Sequence, residues 1–332
     1  MGYNGVTASV EEITYLQPEA YKECVEIITT NGSLKCSVDH PLLTLNKNIF
    51  NKSTGTCSFY RANELKPGDI LLMHGNDKFG DIHVKDAYLL GALFGDGNYS
   101  NSSCVSLSIT TEEEYEYYNK NYSVNISKLK NTANGGLYAQ IYFRGLHPLL
   151  KTYNMDKQSF ENKKLPNNIW QWDKPSIANF LAGYFDADGN IQIVKTKHRS
   201  IKLTCKYKET LESVSILLQK FGIYSYILEE TKPERVLYST VNNKEYKVKS
   251  NKVYVLYICN GRDIINFREN IHLKIASKRE RLYSYVLQKG KGYYPTLKFK
   301  YRKENSKGKY FIDKDLLDLK GTKIISINNI GI

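Results

Sequence analysis

The sequence predicts an α+β protein with two parts, an all-β segment and a larger segment in which one order of helices and strands occurs twice. Three observations predict this class. Residues 1–75 read as short apolar strands separated by turn residues. Two apolar helices that end in Asp-Gly lie about ninety residues apart. Each is followed by extended stretches and further helices, which indicates an internal repeat.

The first segment contains the turn residues that are typical of a small β domain. CVEIIT (24–29) is apolar and extended, and Asn31-Gly32 separates it from SLKCSV (33–38), which predicts a hairpin. LKPGDILLM (65–73) begins at a Pro-Gly turn and predicts another strand.

The larger segment, residues 76–305, divides into halves at about 76–170 and 171–290. Each half opens with an apolar helix that ends at glycine, LLGALFGDG (89–97) and LAGYFDADG (181–189). We predict further strands at 104–110, 137–143, 191–197, 201–207 and 252–259, and further helices at 111–118, 209–222 and 261–270.

Composition limits the classes of partner. Lys and Arg total 47 against 34 Asp and Glu, a net charge of +13, which suits a polyanion, although net charge describes a surface and not a fold. The six cysteines form no CxxC pair, so we expect reduced thiols and an intracellular protein. We expect no signal peptide and no membrane span.

Small residues recur on one face of each of the two apolar helices. Gly91 and Gly95 are four residues apart, as are Gly183 and Ala187. Residues at this spacing share a helix face, and small side chains there allow two backbones to approach closely. We therefore expect the two helices to pack against each other.

Such packing brings Asp96 and Asp188 to one shared helix end, and we expect the glycine after each to adopt the left-handed cap conformation. The helix dipoles and mutual repulsion disfavour both charges there. A divalent cation removes this cost, and Mg²⁺ prefers one or two carboxylates with waters and phosphates. A calcium loop starting at Asp186 is excluded because its sixth residue is Ile191 and not glycine.

These two stretches resemble the paired motifs of LAGLIDADG homing endonucleases, and the second matches seven of the nine letters. The resemblance implies a pseudo-twofold pair of αββαββα halves whose sheets form a saddle over DNA. It also implies metal-dependent hydrolysis of both strands of a long, asymmetric double-stranded site. We expect a monomer with internal pseudo-twofold symmetry.

The same resemblance implies that Asp96 and Asp188 are the catalytic metal ligands. The backbone carbonyls of Gly95 and Ala187 are candidates to join them. Two or more Mg²⁺ ions are implied, for which Mn²⁺ or Ca²⁺ can substitute in binding. Asp186 matches the motif's other acidic letter, but the first motif has phenylalanine in that place, so we assign Asp186 no shared catalytic role.

Phosphodiester hydrolysis also needs a group that stabilises developing negative charge. The family often has a lysine before a proline ahead of the second motif, and KKLP (163–166) implies Lys163. The counterpart in the second half is expected after the last strand and helix. There SKRERL offers Lys278, with Arg279 and Lys274 as alternatives.

DNA contacts are expected from the strands of the second half, where basic residues alternate with strand formers. An edge strand protected by lysines is the alternative. The stretch CVSLSIT of the first half carries no charge, so Asn, Ser, Gln and Tyr are expected to serve there. The basic candidates are Lys195, Lys197, Arg199, Lys202, Lys206 and Lys208.

The flanks resemble the Hint domain of inteins. KCSVDHPLLT (35–44) is similar to a Hint block in which Ser37 takes the place of threonine and His40 is the histidine. RANELKPGDILL (61–72) resembles the strand that leads into an inserted endonuclease. The resemblance implies that residues 1–75 form part of an all-β Hint domain.

Residues 306–332 are expected to start the returning Hint half, because GTKIISINNIGI resembles its first strand. The chain opens MGYNGVT and stops at Ile332, without splice-junction residues. We therefore expect no splicing, and we expect His40 to be a hydrogen-bonded structural histidine.

Two other functions stay open at this point. Some LAGLIDADG proteins are RNA maturases that assist splicing, and the chain could be a protein-splicing element with a decayed nuclease. The retained Asp96 and Asp188 favour cleavage, because a maturase does not need them, and the missing splice junctions count against the protein-splicing element.

Overall fold

The computed structural model describes residues 2–3, 8–9, 21–30, 32–45, 57–74, 78–101, 104–122, 125–127, 130–131, 137–144, 146–155, 163–193, 199–239, 244–285 and 319–331. The chain divides into two compact units, Met1–Asn76 with Lys289–Ile332, and Asp77–Gln288. The predicted boundaries at 75/76 and 305/306 fall outside the described residues. No helix within the described ranges is long and apolar enough to cross a bilayer.

Helices and strands alternate along the described chain, which confirms a mixed α and β protein. The strands are β1 (Gly2–Tyr3), β2 (Ala8–Ser9), β3 (Cys24–Thr29), β4 (Gly32–Ser37), β5 (Pro41–Leu45), β6 (Cys57–Arg61), β7 (Ile70–His74), β8 (Gly97–Asn101), β9 (Cys104–Ile109), β10 (Asn125–Ile126), β11 (Lys130–Asn131), β12 (Leu137–Arg144), β13 (Gly189–Ile193), β14 (Arg199–Cys205), β15 (Tyr226–Lys232), β16 (Arg235–Ser239), β17 (Lys244–Val248), β18 (Asn251–Ile258) and β19 (Leu319–Gly331). The helices are α1 (Ala87–Asp96), α2 (Glu112–Asn121), α3 (His147–Thr152), α4 (Lys174–Asp188), α5 (Lys208–Gln219), α6 (Gly261–Asn270) and α7 (Ala276–Tyr283), with 3-10 turns at Ala62–Glu64 and Ile169–Gln171.

The first unit is built on one antiparallel sheet with the strand order β4-β3-β19-β7-β5-β6. The predicted hairpin is confirmed, since Thr29 at the end of β3 pairs with Gly32 at the start of β4. The predicted C-terminal strand is also confirmed, and β19 lies between β3 and β7. A small buried core supports this sheet, formed by Val25, Ile27, Ala62, Leu65, Leu71 and Ile324.

The second unit repeats one order of elements. The first half runs α1, β8, β9, α2, β10 to β12, α3, and the second runs α4, β13, β14, α5, β15 to β18, α6, α7. The strand paths β8-β9-β12-β10 and β13-β14-β18-β15 correspond strand for strand, and the first sheet has β11 as a fifth strand paired with β12. The predicted internal repeat is therefore confirmed in the order of elements and of strands. The second half adds the β16–β17 hairpin.

The two motif helices, α1 and α4, pack backbone against backbone. A Cβ added to Gly91 would lie 1.9 Å from the carbonyl oxygen of Phe180, and one added to Gly183 would lie 2.0 Å from that of Tyr88. No side chain larger than hydrogen fits at either position. The close approach predicted from the small residues is confirmed, and both helices lie within one hydrophobic core.

The expected left-handed caps at the ends of these helices are wrong. Gly97 has φ −70° and Gly189 has φ −78°, both extended, because the chain passes without a break into β8 and β13. Glycine is required there for a steric reason. A Cβ would lie 2.2 Å from the carbonyl oxygen of Leu93 at Gly97, and 2.3 Å from that of Phe185 at Gly189.

Candidate functional site

The two motif helices end side by side, and each ends in an aspartate. Asp96 is the last residue of α1, and Asp188 is the last residue of α4. A Cβ added to Gly95 would lie 2.5 Å from the Cβ of Ala187 and 3.5 Å from the Asp188 Oδ2. The structure therefore brings both predicted metal ligands to one place.

The electrostatics of Asp96 reflect this pairing. Asp96 is exposed at the end of its helix, yet the protein around it raises its pKa to about 6, first by desolvation and then through the negative charges of Asp188 and Glu114. Lys163 and Lys278 act in the opposite direction. We conclude that the two lysines offset only part of the electrostatic free energy that it costs to ionise Asp96 beside Asp188.

Lys163 lies at the junction of the two helix ends. Its Nζ donates to the Asp188 Oδ2 at 3.5 Å and to the carbonyl oxygen of Gly95 at 3.3 Å. The same ammonium lies 5.0 Å from the ring centroid of Phe94 and 5.2 Å from that of Tyr184. Aromatic faces attract a cation at such distances, so two rings and two oxygens hold Lys163 beside Asp188.

Lys278, on α7, caps the C-terminal end of α4. Its Nζ donates to the carbonyl oxygens of Phe185 at 3.2 Å and Ala187 at 3.3 Å, and also to that of Asp186. These carbonyls lie at the negative end of the helix dipole, where a cation is favoured. Burial lowers the pKa of the Lys278 ammonium.

Asp186 and the two alternative basic residues have other partners. Asp186 is 2% exposed and accepts from the Tyr88 hydroxyl at 2.9 Å and from the backbone N–H groups of Lys274 at 2.6 Å and Ile275 at 3.3 Å. Burial raises its pKa to about 6. The Arg279 guanidinium donates to the carbonyl of Lys274 at 3.2 Å. Of the three basic candidates, only Lys278 therefore has a side-chain hydrogen bond to the end of α4 within the described residues.

The donor set suits a hard divalent cation. No cluster of three or more His, Cys, Asp or Glu side chains occurs in the described part of the chain, so a cage made only of such side chains is not formed there. Mg²⁺ needs no such cage, because it keeps waters and takes substrate phosphates. The carbonyls of Gly95 and Ala187 already accept from lysines, which leaves each of them one lone pair.

One row of side chains crosses the sheet of the second half. Asn190, Lys202, Tyr257 and Tyr226 are register partners on β13, β14, β18 and β15. The Lys202 Nζ lies 4.9 Å from the centroid of the Tyr257 ring, and the rings of Tyr226 and Tyr257 stack at 5.3 Å. The row combines a cation, an amide and two aromatic faces.

A corresponding row crosses the first sheet. Asn98, Ser106, Tyr142 and Asn125 pair in the same register across β8, β9, β12 and β10. The Tyr142 hydroxyl donates to Gln140 at 2.7 Å. This row carries no formal charge, as expected for the first half. Each row starts at the asparagine of a DGN sequence. This repeated tripeptide is a signal from which both rows could have been identified in the sequence.

The predicted basic strand is only partly correct. Lys195 and Lys197 lie outside the described residues. Arg199 donates to the Tyr285 hydroxyl at 3.0 Å. Alternation along β14 places it with the buried Ile201, on the face opposite Lys202. Among the described candidates on this strand, Lys202 is the one in the cross-sheet row.

The last two basic candidates are not on the strand at all. β14 ends at Cys205, so Lys206 follows the strand, and Lys208 is the first residue of α5. The Lys208 Nζ forms an ion pair with Glu212 at 3.1 Å, one helical turn away. The prediction failed because the chain turns from strand to helix within these residues.

In the first unit, the predicted Hint residues surround a charged turn. Lys22 forms an ion pair with Asp39 at 2.7 Å, and the Ser37 hydroxyl donates to Asp39 at 2.6 Å. These two contacts, Lys22 first, lower the pKa of Asp39 to about 2. The His40 side chain is exposed. Its backbone N–H donates to the carbonyl of Ser37, and its carbonyl accepts from Ala62, both at 3.0 Å. Both hydrogen bonds are made by the backbone, and the expected hydrogen bond of the His40 side chain is not found among the described residues.

The relatives found by comparison with known proteins include three whose names are unrelated to one another. The chain is 31% identical to translation initiation factor IF-2 of Methanocaldococcus jannaschii over 59% of this chain and 15% of that protein. It is 28% identical to the helicase Hel308 of the same organism, over 74% and 20%. It is 29% identical to a ribonucleoside-diphosphate reductase subunit of Bacillus subtilis, over 56% and 19%. The chain thus spans a fifth or less of each relative.

A solved structure, the N-terminal LAGLIDADG domain of DUF199/WhiA, aligns with a TM-score of 0.35 and 16% identity, over 58% of this chain and 84% of that one. The family described as LAGLIDADG-like domain matches residues 175–272. That range runs from α4 through α6 and includes Asp188 and the row with Lys202. Residues 175–272 of this chain are therefore similar to the LAGLIDADG-like domain family.

Proposed function

We propose that this chain is an intein-derived, site-specific endonuclease that cuts both strands of a long, asymmetric DNA site in a metal-dependent reaction. The observation that carries the proposal is the carboxylate pair at the joined ends of α1 and α4, with one lysine beside each helix end. Asp96 and Asp188 would hold Mg²⁺, with Mn²⁺ or Ca²⁺ able to replace it in binding. When bound, such an ion activates water and polarises the phosphate.

The chain's own residues supply the remaining requirements. Lys163 reaches Asp188 from a cradle of two aromatic rings, so its ammonium is held where phosphate charge would develop. Lys278 neutralises the carbonyl end of α4, which lowers the cost of an anionic substrate beside that helix. The two lysines differ in their surroundings, so the two strand cuts need not have equal rates.

The two cross-sheet rows support DNA as the substrate. Each lies on the sheet that follows directly from a motif aspartate, since β8 and β13 begin at the residue after Asp96 and Asp188. Asparagine amides and tyrosine hydroxyls can hydrogen-bond base edges or phosphates, and Lys202 can neutralise a phosphate. One row is basic and the other neutral, which favours an asymmetric site.

The relatives support an inserted origin. An initiation factor, a helicase and a reductase have unrelated names, yet each matches this chain over 15% to 20% of its own length. A segment shared by such different proteins is expected of a mobile element. In the first unit, β19 pairs with β3 and β7, although the second unit lies between them in the sequence. This arrangement suits a Hint domain that is interrupted by a nuclease.

A cleavage assay tests the proposal. The full chain is incubated with Mg²⁺ and a plasmid that carries the uninterrupted insertion site. We expect a linear product that disappears with EDTA and with Asp188→Asn, whereas Glu112→Gln, an exposed change on α2, cuts normally. Intact plasmid despite tight binding would contradict the proposal and favour a decayed nuclease. Tighter binding to structured RNA than to DNA would favour a maturase.

A further inference from the structure

The N-terminal end of α7 has no cap of its own. Its N-cap residue is Ile275, whose side chain cannot accept a hydrogen bond. The first N–H groups of a helix need acceptors from elsewhere, and carboxylates are the strongest of these. The acceptors for α7 come from two other helices.

Two carboxylates share four consecutive N–H groups at this end. Asp186, on α4, accepts from residues 274 and 275. Glu113, on α2, accepts from Ala276 and from Ser277, the latter at 3.1 Å to both of its oxygens. Ser277 directly precedes Lys278, so Glu113 fixes the backbone from which the Lys278 side chain extends.

This contact joins the two halves of the repeat. Glu113 belongs to the first half, whereas Lys278 and the end of α4 belong to the second. The neighbouring acids on the same turn are placed differently. Glu114 caps its own helix through Thr111, and Glu112 accepts none of the four N–H groups described above.

Lys163 is held by different chemistry. Its ammonium lies over the rings of Phe94 and Tyr184, and Phe94 occupies the motif position that corresponds to Asp186. A change at Glu113 therefore acts on Lys278 and leaves the Lys163 cradle intact.

We propose that Glu113 is a positioning residue that, from the first half, sets Lys278 at the end of α4, and so controls cleavage of one DNA strand only. The strand effect rests on the proposed function, whereas the positioning of Lys278 does not. Loss of a residue that orients a metal ligand lowers metal affinity or activity by about 10- to 100-fold, and we expect an effect of similar size for a residue that orients Lys278.

The first test follows the two strands separately. With end-labelled duplex, we expect Glu113→Gln to slow cleavage of one strand at least tenfold and to accumulate nicked product. Lys278→Gln should slow the same strand, and the double variant should be no slower than Lys278→Gln alone, because the two changes act through one group. Glu112→Gln is the matched control. Equal slowing of both strands, or additive effects, would overturn the proposal.

The second test needs no nuclease activity. Metal-free protein is treated with an amine-acylating reagent, and the modification of Lys278 and Lys163 is quantified by peptide mass spectrometry. We expect Glu113→Gln to raise the Lys278 rate severalfold and to leave the Lys163 rate unchanged. An unchanged Lys278 rate refutes the positioning role whether or not the protein cuts DNA. A raised rate in a protein that does not cut DNA would instead refute the proposed function alone.

Discussion

The contact between α1 and α4 makes a quantitative prediction for Gly91→Ala. The new methyl carbon would lie 1.9 Å from the Phe180 carbonyl oxygen and must reach at least 3.4 Å for ordinary contact. The carbonyl belongs to the backbone of a buried helix and cannot rotate away. Overpacking of this kind costs about 3 kcal/mol at the upper end of its usual range, and alanine's better helix propensity offsets about 1 kcal/mol.

We therefore expect Gly91→Ala to lower the free energy of unfolding of the second unit by about 2 kcal/mol, a shift of about 1 M in the urea midpoint. Tryptophan fluorescence follows this unit alone, because the chain's two tryptophans are Trp170 and Trp172. Trp172 is fully buried, with its ring 5.9 Å from that of Phe180 on α4.

Gly95→Ala is the graded comparison for this prediction. Its Cβ would meet only the Ala187 Cβ at 2.5 Å, a side-chain atom, and its other neighbours lie at 3.5 Å. We expect a smaller loss of stability than for Gly91→Ala. A wild-type urea midpoint for Gly91→Ala, or a larger loss of stability for Gly95→Ala, would show that close backbone packing at Gly91 does not limit stability.

Two further predictions follow from the site. Asp186 has a pKa of about 6 in the fold against an ordinary value of 3.8. The folded state thus holds a proton that the unfolded state has released, and the free energy of unfolding of metal-free protein should fall as pH rises from about 4 to about 6. Asp186→Asn should reduce that slope in urea titrations without abolishing it, because the pKa of Asp96 is also raised to about 6. An unchanged slope would contradict the assignment. Lys202→Ala should weaken binding of target DNA and reduce the slope of log affinity against log salt by about 1. Arg199→Ala loses the Tyr285 contact on the covered face, so it should lower the urea midpoint and leave the slope of log affinity against log salt unchanged. A reduced salt slope with an unchanged midpoint would contradict the faces assigned to the two residues.

The helix pair could be predicted from the sequence because its cause is local. The glycines at 91 and 183 recur at one position of each motif, and absence of a side chain at such a position directly permits close packing. The same local logic misjudged Gly97 and Gly189. Their conformation is fixed by the strands that follow, which a helix-end pattern does not report.

The side on which a strand residue points could not be predicted. A one-residue shift in the register with which a strand pairs reverses the face of every side chain on it. Arg199 and Lys202 read alike in sequence, yet one contacts Tyr285 on the covered face and the other lies over Tyr257. Glu113 was missed because its partners lie more than 160 residues away in sequence.

Metal binding to four proteins tests whether Asp96 and Asp188 form one metal centre. Mn²⁺ is titrated into the full chain and into Asp96→Asn, Asp188→Asn and Asp186→Asn, and bound ion is measured by electron paramagnetic resonance. We predict that either change in the pair weakens binding at least tenfold, while Asp186→Asn, which alters a buried carboxylate that anchors α7, binds like the wild type. Equal Mn²⁺ binding by all four proteins, or loss of binding only with Asp186→Asn, would show that Asp96 and Asp188 do not hold the metal.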